Sequence, residues 1–347
     1  MKPSRISKLS AYPLMIAGVL AALANPSTAS VIRDGMTYTQ YDNYFLSSTG
    51  GGYQNVFNNV GKLTWSGYLC SGTAINASWV LTAAHCLDNT SVSPGGYTFT
   101  LGSASFTGAA KFVHPNWNSS NLGAGNDIAL LKLGSPISTT ILSAFPTLWT
   151  AAYGSEIGRT STLVGFGRTG NGLTGATGSA GFKHAIQNSI DAYGNGRDNY
   201  NSFFNLSGAI LLTDFDNPLN TNNQNNRIGG TALAYEGDAA PGDSGGGLFI
   251  GNILTGITSF GWGRYDGTAN SSYGDLSGYT RVASFTDWIN TTIGANLATN
   301  SIASGSTALG TSSPSTLDTS VPEPGASFGL LALGTLGFLS LRSRARG

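Results

Sequence analysis

The sequence is poor in charge, cysteine and histidine. Of its 347 residues only 10% are charged, against roughly 25% in an ordinary soluble domain. Its 17 basic and 17 acidic residues cancel, and no Lys/Arg cluster lies in the middle of the chain. We therefore expect no nucleic acid among its partners. No long heptad pattern is present, which argues against a long coiled coil.

Glycine, by contrast, is abundant, with 49 residues, about twice the usual share. Strand-like runs alternate with turn residues between Val31 and about Ala295, and no regular helices separate them. This arrangement argues against a parallel sheet and predicts one all-β unit. The clearest runs are Ser78–Leu81, Tyr97–Leu101, Asp127–Leu133, Ser161–Gly167, Ala209–Thr213, Gly247–Ile250, Leu254–Phe260 and Gly278–Val282.

One helix is predicted near the end of this unit. Ser284 can act as its N-cap. The apolar residues that share a face at helical spacing are Phe285, Trp288, Ile289 and Ile293. The Asn-rich stretch 217–226 is predicted to be a surface loop.

The N-terminus has the layout of a secretory signal peptide. Three basic residues within the first eight precede an apolar run from Ala11 to Ala24, and small residues follow up to Ser30. Residues 1–30 are therefore predicted to be removed, with cleavage after Ala24, Ala29 or Ser30. A membrane anchor is the alternative, but the apolar run is short for one.

The C-terminus is predicted to be a stalk followed by an apolar segment. Half of residues 297–320 are Ser or Thr, so this segment cannot bury enough apolar surface to fold. Residues 321–347 then contain Pro-Glu-Pro, an apolar stretch and three arginines. The stretch is about 16 residues, roughly 24 Å as a helix, against a bilayer core of about 30 Å.

This order resembles the PEP-CTERM sorting signal of Gram-negative bacteria that produce exopolysaccharide; a plain short anchor is the alternative. The resemblance implies export, transient membrane association through the C-terminus, and a processing enzyme of the export pathway as a partner. Mature protein would lie at the cell surface or outside the cell. Export in turn permits a disulfide between Cys70 and Cys86, whose loop of about 15 residues would contribute roughly 3 kcal/mol. A two-cysteine metal site lacks further ligands at suitable spacing, because His85 adjoins Cys86.

Two motifs carry residues suited to nucleophilic catalysis. Gly242–Gly246 reads GDSGG, which presents Ser244 between glycines and also satisfies the G-x-S-x-G elbow of α/β-hydrolases. That elbow requires a histidine after the serine, whereas all three histidines precede Ser244. Asn126–Leu133 reads NDIALLKL, in which Asp127 opens an apolar run and needs a strong hydrogen-bond partner. His85, in the motif LTAAHC, is a suitable partner.

Together, LTAAHC, NDIALL and GDSGG, in the order His, Asp, Ser, resemble the chymotrypsin/trypsin family of serine proteases over about residues 31–296. The resemblance implies two Greek-key six-stranded antiparallel β-barrels with a C-terminal helix, and a cleft between the barrels. It implies His85, Asp127 and Ser244 as the catalytic triad of a serine endopeptidase that acts on proteins or peptides. Backbone amides of Gly242 and Ser244 would form the oxyanion hole, and no cofactor or metal is implied. The Cys70–Cys86 bond would fix the strand end that presents His85.

The resemblance also predicts specificity. Asp238 aligns with the acid at the base of the pocket that binds Arg or Lys side chains in trypsin-like members. The stretch GITSFGWG, which contains Ser259 and Gly261, aligns with the substrate-binding edge. Two departures are Ala240, where that group has a pocket-bracing cysteine, and Arg264, where the partner cysteine would fall.

The resemblance predicts activation as well. Processing after Ser30 would give Val31 an α-amino group to pair with Asp243.

Other features have simpler interpretations. His114 and His184 match no motif and are predicted to be solvated loop residues. GFGRTG at 165–170 fits G-x-G-x-x-G, but no helix follows, so a strand and turn are predicted rather than a nucleotide site. The competing functions are a non-catalytic surface binding protein on a protease scaffold and an esterase that uses the same triad.

Overall fold

The computed structural model describes residues 30–47, 54–199, 201–219, 228–229, 231–263 and 267–303. Within them, short strands dominate, as the composition predicts. The strands are β1 (Val31–Ile32), β2 (Val60–Trp65), β3 (Tyr68–Asn76), β4 (Trp79–Thr82), β5 (Thr98–Leu101), β6 (Ala104–Val113), β7 (Ala129–Leu133), β8 (Thr147–Leu148), β9 (Thr160–Gly165), β10 (Gly170–Asn171), β11 (His184–Ser189), β12 (Ala192–Tyr193), β13 (Ile210–Asp214), β14 (Gly237–Asp238), β15 (Gly247–Ile250), β16 (Ile253–Trp262) and β17 (Leu276–Arg281). The helices are α1 (Tyr38–Phe45), α2 (Gln54–Phe57) and α3 (Thr286–Ala303).

The first half of the fold is a closed antiparallel barrel. Its strand order is β2-β3-β4-β7-β6-β5, and β5 returns to pair with β2 through the register Lys62↔Thr100. Large apolar side chains fill it, among them Leu63, Leu81 and Phe99, all fully buried. Because the barrel closes, it has no free edge, and it forms a rigid support for the loops at its rim.

The second half of the fold is a half-barrel built from one sheet, which we call the open sheet because its two end strands are not joined by a ladder within the described part of the chain. Its order is β11-β9-β15-β16-β17-β13-β12, and β8 adds to β16 in parallel. No ladder between the described residues joins β11 to β12. Strands β11 and β12 are nevertheless consecutive in the chain, with only Ile190 and Asp191 between them, so this stretch pairs first with β9 and then with β13.

A small third sheet holds the N-terminal end of the described chain. Strand β1 lies between β10 and β14, with Val31 opposite both Gly170 and Asp238. Strand β14 leads directly into the loop that contains Ser244. The beginning of the protease unit is therefore attached to the segment that precedes GDSGG.

The eight predicted strands are confirmed with shifts of a few residues at their ends. Helix α3 is also confirmed, but it begins at Thr286, because Ser284 lies in a preceding 3₁₀ turn, Val282–Ser284. There the Ser284 hydroxyl accepts a 3.4 Å hydrogen bond from Arg281. Helix α1 was not predicted; it begins with a capping box in which Thr37 and Gln40 satisfy each other's backbone amides.

Several predictions fall on segments outside the described residues. These are the signal peptide, the Ser/Thr-rich stalk beyond Ala303, the C-terminal apolar segment, Arg264 and most of the Asn-rich loop. Among the residues that are described, no helix has the length and apolar character needed to span a bilayer.

Candidate active site

The sequence motif LTAAHC places His85 at the rim of the barrel. It lies in a 3₁₀ turn, Ala84–Cys86, directly after β4. His85 Nδ1 lies 2.7 Å from Oδ2 of Asp127, and the backbone N–H of His85 donates to Oδ1 at 3.0 Å. Both carboxylate oxygens therefore hold His85, one through its ring and one through its backbone.

Asp127 is fully buried, and its environment explains why a carboxylate is tolerated there. Besides His85, it accepts a hydrogen bond from Ser259 Oγ at 2.5 Å. Thr280 Oγ1 donates to its backbone carbonyl at 2.8 Å. Because β16 and β17 supply these two hydroxyls, the open sheet fixes an acid that belongs to the barrel.

The pair with Asp127 changes the basicity of His85. Burial by itself lowers the pKa of His85, but the hydrogen bond and negative charge of Asp127 outweigh it and raise the pKa above its ordinary value. The side chain keeps 30% of its surface exposed. His85 is thus a proton acceptor of enhanced basicity that a substrate can reach.

The disulfide predicted between Cys70 and Cys86 is present, with Cα atoms 6.3 Å apart. It ties β3 to the turn that carries His85. Although Cys70, His85 and Cys86 are close enough together to suggest metal ligands, both sulfurs are engaged in the disulfide and no thiolate is available.

Ser244 lies in a sharp loop that depends on glycine. Gly242 and Gly245 have φ angles of +106° and +80°. A Cβ at Gly242 would lie 2.6 Å from Leu69, and one at Gly245 would lie 2.0 Å from Thr82. Only glycine fits both positions without strain.

Ser71 attaches this loop to the barrel. Its backbone N–H donates to the Ser244 carbonyl at 2.7 Å, and its hydroxyl donates to the Gly242 carbonyl at 2.9 Å. The N–H groups of Gly242 and Ser244, by contrast, donate to no acceptor among the described residues. Two backbone donors beside the Ser244 hydroxyl therefore remain available to a ligand.

Ser244 borders two cavities. One, of about 360 Å³, is lined by His85 and Ser244 together with Trp65, Tyr68, Pro241 and Gly242. The other, of about 260 Å³, is lined by Ser244, Ser259 and Gly261 together with Ala239, Ala240 and Phe260. His85 and Ser244 thus share one cavity, and the residues predicted to form the substrate edge line the next.

Asp243, next to Ser244, is fully buried. Its carboxylate accepts hydrogen bonds from the N–H groups of Gly167, at 2.7 Å, and Ala240, at 2.9 Å, and from the hydroxyl of Ser30, at 2.9 Å. Burial raises its pKa to about 6. Among the described residues, no cationic side chain forms an ion pair with it.

The trypsin family profile matches residues 48–289. The chain belongs to the trypsin family. Membership of this family makes it a serine endopeptidase. A second family profile, the PEP-CTERM protein-sorting motif, matches residues 320–345.

Individual trypsins show how far the similarity extends. Anionic trypsin of Bos taurus is 31% identical over 82% of this chain and 99% of its own length. Trypsin of Sus scrofa is 29% identical over 71% of this chain and 96% of its own. Neuropsin, a serine protease of mouse brain, superposes with a TM-score of 0.50 at 20% identity, over 69% of this chain and 96% of its own. The neuropsin match supports the fold alone.

The other trypsin-like features occupy distinct positions in the structure. Asp238 is buried and directly precedes Ala239, one of the residues that line the smaller cavity. One of its carboxyl oxygens accepts a hydrogen bond from Ser277 Oγ. Its other oxygen, Oδ2, has no partner among the described residues, and burial raises its pKa well above the usual range. Val31 lies on β1 opposite Asp238, whereas Ser30, one residue earlier, contacts Asp243.

Of the two remaining histidines, His114 lies in a loop after β6 as predicted, although it is half-buried, whereas His184 is not a solvated loop residue. His114 packs edge-on against Phe285 and Trp288 with ring centroids 5.0 and 5.1 Å away. His184 is buried at the start of β11, with Nδ1 2.5 Å from Asp42 Oδ1. The prediction for His184 was wrong because helix α1, which supplies Asp42, comes from a distant part of the sequence.

Sequence reasoning also missed three residues that organise the site: Ser30, Ser71 and Thr280. Ser71 directly follows Cys70, and Thr280 lies within the GYTRV stretch, so their proximity to recognised motifs was the available signal. Ser259 was predicted as part of the substrate pocket; it lines that cavity and also holds Asp127. GFGRTG spans the end of β9, an irregular connection and the start of β10, rather than a strand and turn, and the N–H of Gly167 donates to Asp243.

Proposed function

We propose that this protein is an exported serine endopeptidase in which His85, Asp127 and Ser244 form the catalytic triad. The observation that carries the proposal is a His85–Asp127 pair whose histidine opens into the same cavity as Ser244. In this mechanism His85 takes the proton of the Ser244 hydroxyl as Oγ attacks the scissile carbonyl. His85 then returns the proton to the leaving amine, and water hydrolyses the acyl-enzyme by the same route.

Asp127 acts on His85 rather than on the substrate. Its hydrogen bond selects the tautomer with the proton on Nδ1, so Nε2 is the atom that accepts the serine proton. Its charge stabilises the imidazolium that forms. Ser259 and Thr280 hold Asp127 in this orientation.

The unpaired amides of Gly242 and Ser244 are proposed as the oxyanion hole. Such donors stabilise the negative oxygen of the tetrahedral intermediate, and each typically contributes about 3 kcal/mol. Gly242→Ala should lower kcat roughly 100-fold because its Cβ would collide with Leu69 and shift the amide.

Hydrolysis of casein tests the proposal. Purified protein should cleave casein, and Ser244→Ala should abolish cleavage, whereas Ser103→Ala, at an exposed turn, should leave it unchanged. Binding of casein without cleavage would favour the non-catalytic scaffold. Cleavage of ester substrates alone would favour the esterase.

The proposed specificity is for Arg or Lys at P1. It is supported by the buried Asp238, whose Oδ2 lacks a partner near the cavity of about 260 Å³. A guanidinium or ammonium group would pair with that oxygen and ionise the acid. Peptide-library profiling should show cleavage after Arg and Lys, and Asp238→Ser should remove the preference. Equal cleavage after Phe and Arg would contradict it.

The proposed activation uses Asp243 and a new α-amino group, but at Ser30 rather than Val31. Ser30 contacts the Asp243 carboxylate, whereas Val31 is held in β1. Cleavage of the signal peptide after Ala29 would place the new α-amino group on Ser30 itself, the residue whose hydroxyl already contacts Asp243. N-terminal sequencing of active enzyme should begin at Ser30, and an active form that begins at Asn25 would contradict the proposal.

The proposed boundaries of the signal peptide, the protease unit, the stalk and the sorting signal follow from the two ends of the chain. Residues up to Ala29 would be the signal peptide, and the protease unit would run to Ala303, because residues 297–303 of the predicted stalk lie in helix α3. Residues 304–320 would be the stalk and residues 321–347 the sorting signal. The PEP-CTERM match at 320–345 indicates export in a Gram-negative bacterium. Mass mapping of secreted protein should find both ends removed.

A further inference from the structure

A cavity of about 460 Å³ lies where the barrel meets the open sheet, and the catalytic mechanism uses none of its lining residues. We name it the seam cavity. Its walls come from β2, from β5, from the connection after β7, and from the segment between β9 and β11. The residues that matter below are Lys62, Leu101, Ile141, Leu142, Phe166 and Lys183.

One wall of the seam cavity is apolar. Leu101, Leu142 and Phe166 are nearly buried, at 4%, 5% and 8% exposure, and Ile141 is more exposed, at 38%. Cavities of a few hundred Å³ with apolar walls and a few polar groups are typical of small-molecule sites. The wall therefore suits a hydrocarbon portion of a ligand.

Two lysines also line the cavity, one from each half of the fold. Lys183 donates to the Phe57 carbonyl at 3.1 Å, its one acceptor among the described residues. Burial lowers its pKa to about 8. No carboxylate in the described part of the chain forms an ion pair with Lys62 or Lys183. Nζ of Lys183 lies 5.7 Å from the centroid of the Phe166 ring, a contact that offsets only part of the cost of burying an ammonium without a counter-ion. An anion is therefore the chemical complement of these lysines.

We propose that the seam cavity binds an amphipathic carboxylate of medium chain length. Its carboxylate would meet Lys62 and Lys183, and its hydrocarbon chain would lie against the apolar wall. A bare anion would leave that wall uncovered, and a neutral apolar molecule would leave both ammonium groups unpaired. The proposal is independent of the catalytic roles given above.

Calorimetric titration of the full chain carrying Ser244→Ala tests the proposal without self-digestion. Decanoate is the probe, and decanol and inorganic phosphate are its neutral and tail-free counterparts. We expect decanoate to bind at one site at least about tenfold more tightly than either counterpart, as one charge-assisted contact predicts. Equal binding of decanol, or tighter binding of phosphate, would overturn the proposal.

Variants assign the site to the two lysines. Lys183→Met and Lys62→Met should each weaken decanoate binding roughly tenfold, because each removes one charged contact. Lys132→Met, outside the seam cavity, is the matched control and should bind decanoate normally. Thermal unfolding verifies that each variant is folded; if Lys183→Met is not, Lys62→Met decides. Unchanged binding in a folded Lys62→Met or Lys183→Met variant would refute the site.

Discussion

The described part of the chain contains two histidine–aspartate pairs with nearly the same contact distance and opposite burial. In the first, His85 is 30% exposed and Asp127 is fully buried, with a 2.7 Å contact. In the second, His184 is 3% exposed and Asp42 is 34% exposed, with a 2.5 Å contact. A short Nδ1–carboxylate contact is therefore not what distinguishes the proposed catalytic histidine, His85, from His184.

The difference lies at the other ring nitrogen. His85 opens into a cavity that it shares with Ser244. Nε2 of His184 is buried and has no partner among the described residues. The first pair can pass a proton to and from a substrate, and the second pins helix α1 to β11. Access to a nucleophile, rather than the acid, separates the two roles.

The largest expected contrast comes from the histidines themselves. His85→Ala should lower kcat by roughly 10⁶-fold, because the serine loses its base. His184→Ala should leave kcat within about threefold, since catalysis does not use that ring. Steady-state hydrolysis of a peptide substrate measures both. Comparable losses in the two variants would erase the distinction drawn here.

Substitutions of the two aspartates, Asp127 and Asp42, should differ in their effect on kcat as the histidine substitutions do. Asp127→Asn should lower kcat by roughly 10⁴-fold, because the amide favours the wrong tautomer of His85. Asp42→Asn should change kcat little and should instead lower the free energy of unfolding by about 1–3 kcal/mol, the typical contribution of a charged hydrogen bond. Kinetics and urea unfolding of each variant separate these effects. A loss of stability without loss of kcat in Asp127→Asn would contradict the assignment.

Removal of the disulfide should lower the free energy of unfolding more than it lowers kcat. Replacing both Cys70 and Cys86 with Ala should lower the free energy of unfolding by about 3 kcal/mol, as expected for a loop of this size. Below the unfolding transition, kcat should fall far less than in His85→Ala. Denaturant unfolding under oxidising conditions gives the first quantity. An unchanged midpoint would show that the barrel positions His85 without the bond.

The smallest expected effect is that of Asp127 on the pH dependence of kcat/KM. Asp127 raises the pKa of His85, so the acid limb of kcat/KM should lie above the ordinary histidine value of about 6.5. In Asp127→Asn the limb should move to lower pH. The same shift makes the stability contributed by this pair complete at low pH and lost as pH rises through the raised pKa. A limb that does not move would separate His85 from Asp127.

Local motifs predicted the site better than they predicted its surroundings. LTAAHC, NDIALL and GDSGG contain His85, Asp127 and Ser244; the structure pairs the first two and places His85 and Ser244 on one cavity. The two residues that hold Asp127, Ser259 and Thr280, act through contacts between strands far apart in sequence. The Ser30 contact spans nearly the whole protease unit.

The fold class was also predicted from local patterns in the sequence. Alternating strand runs predicted an all-β fold, and one barrel closes as expected. The open sheet forms the half-barrel of the second half, and its two-residue strand β12 is too short to carry a periodic signal in the sequence. Helix α1 escaped prediction, although its capping residues Thr37 and Gln40 are visible in the sequence.

Labelling with a fluorophosphonate, followed by peptide mass mapping, tests the central claim most directly. We predict one adduct, on Ser244, whose rate of formation falls sharply in His85→Ala and Asp127→Asn but not in His184→Ala or Asp42→Asn. An adduct on another serine, or a rate that depends equally on both histidines, would contradict the account.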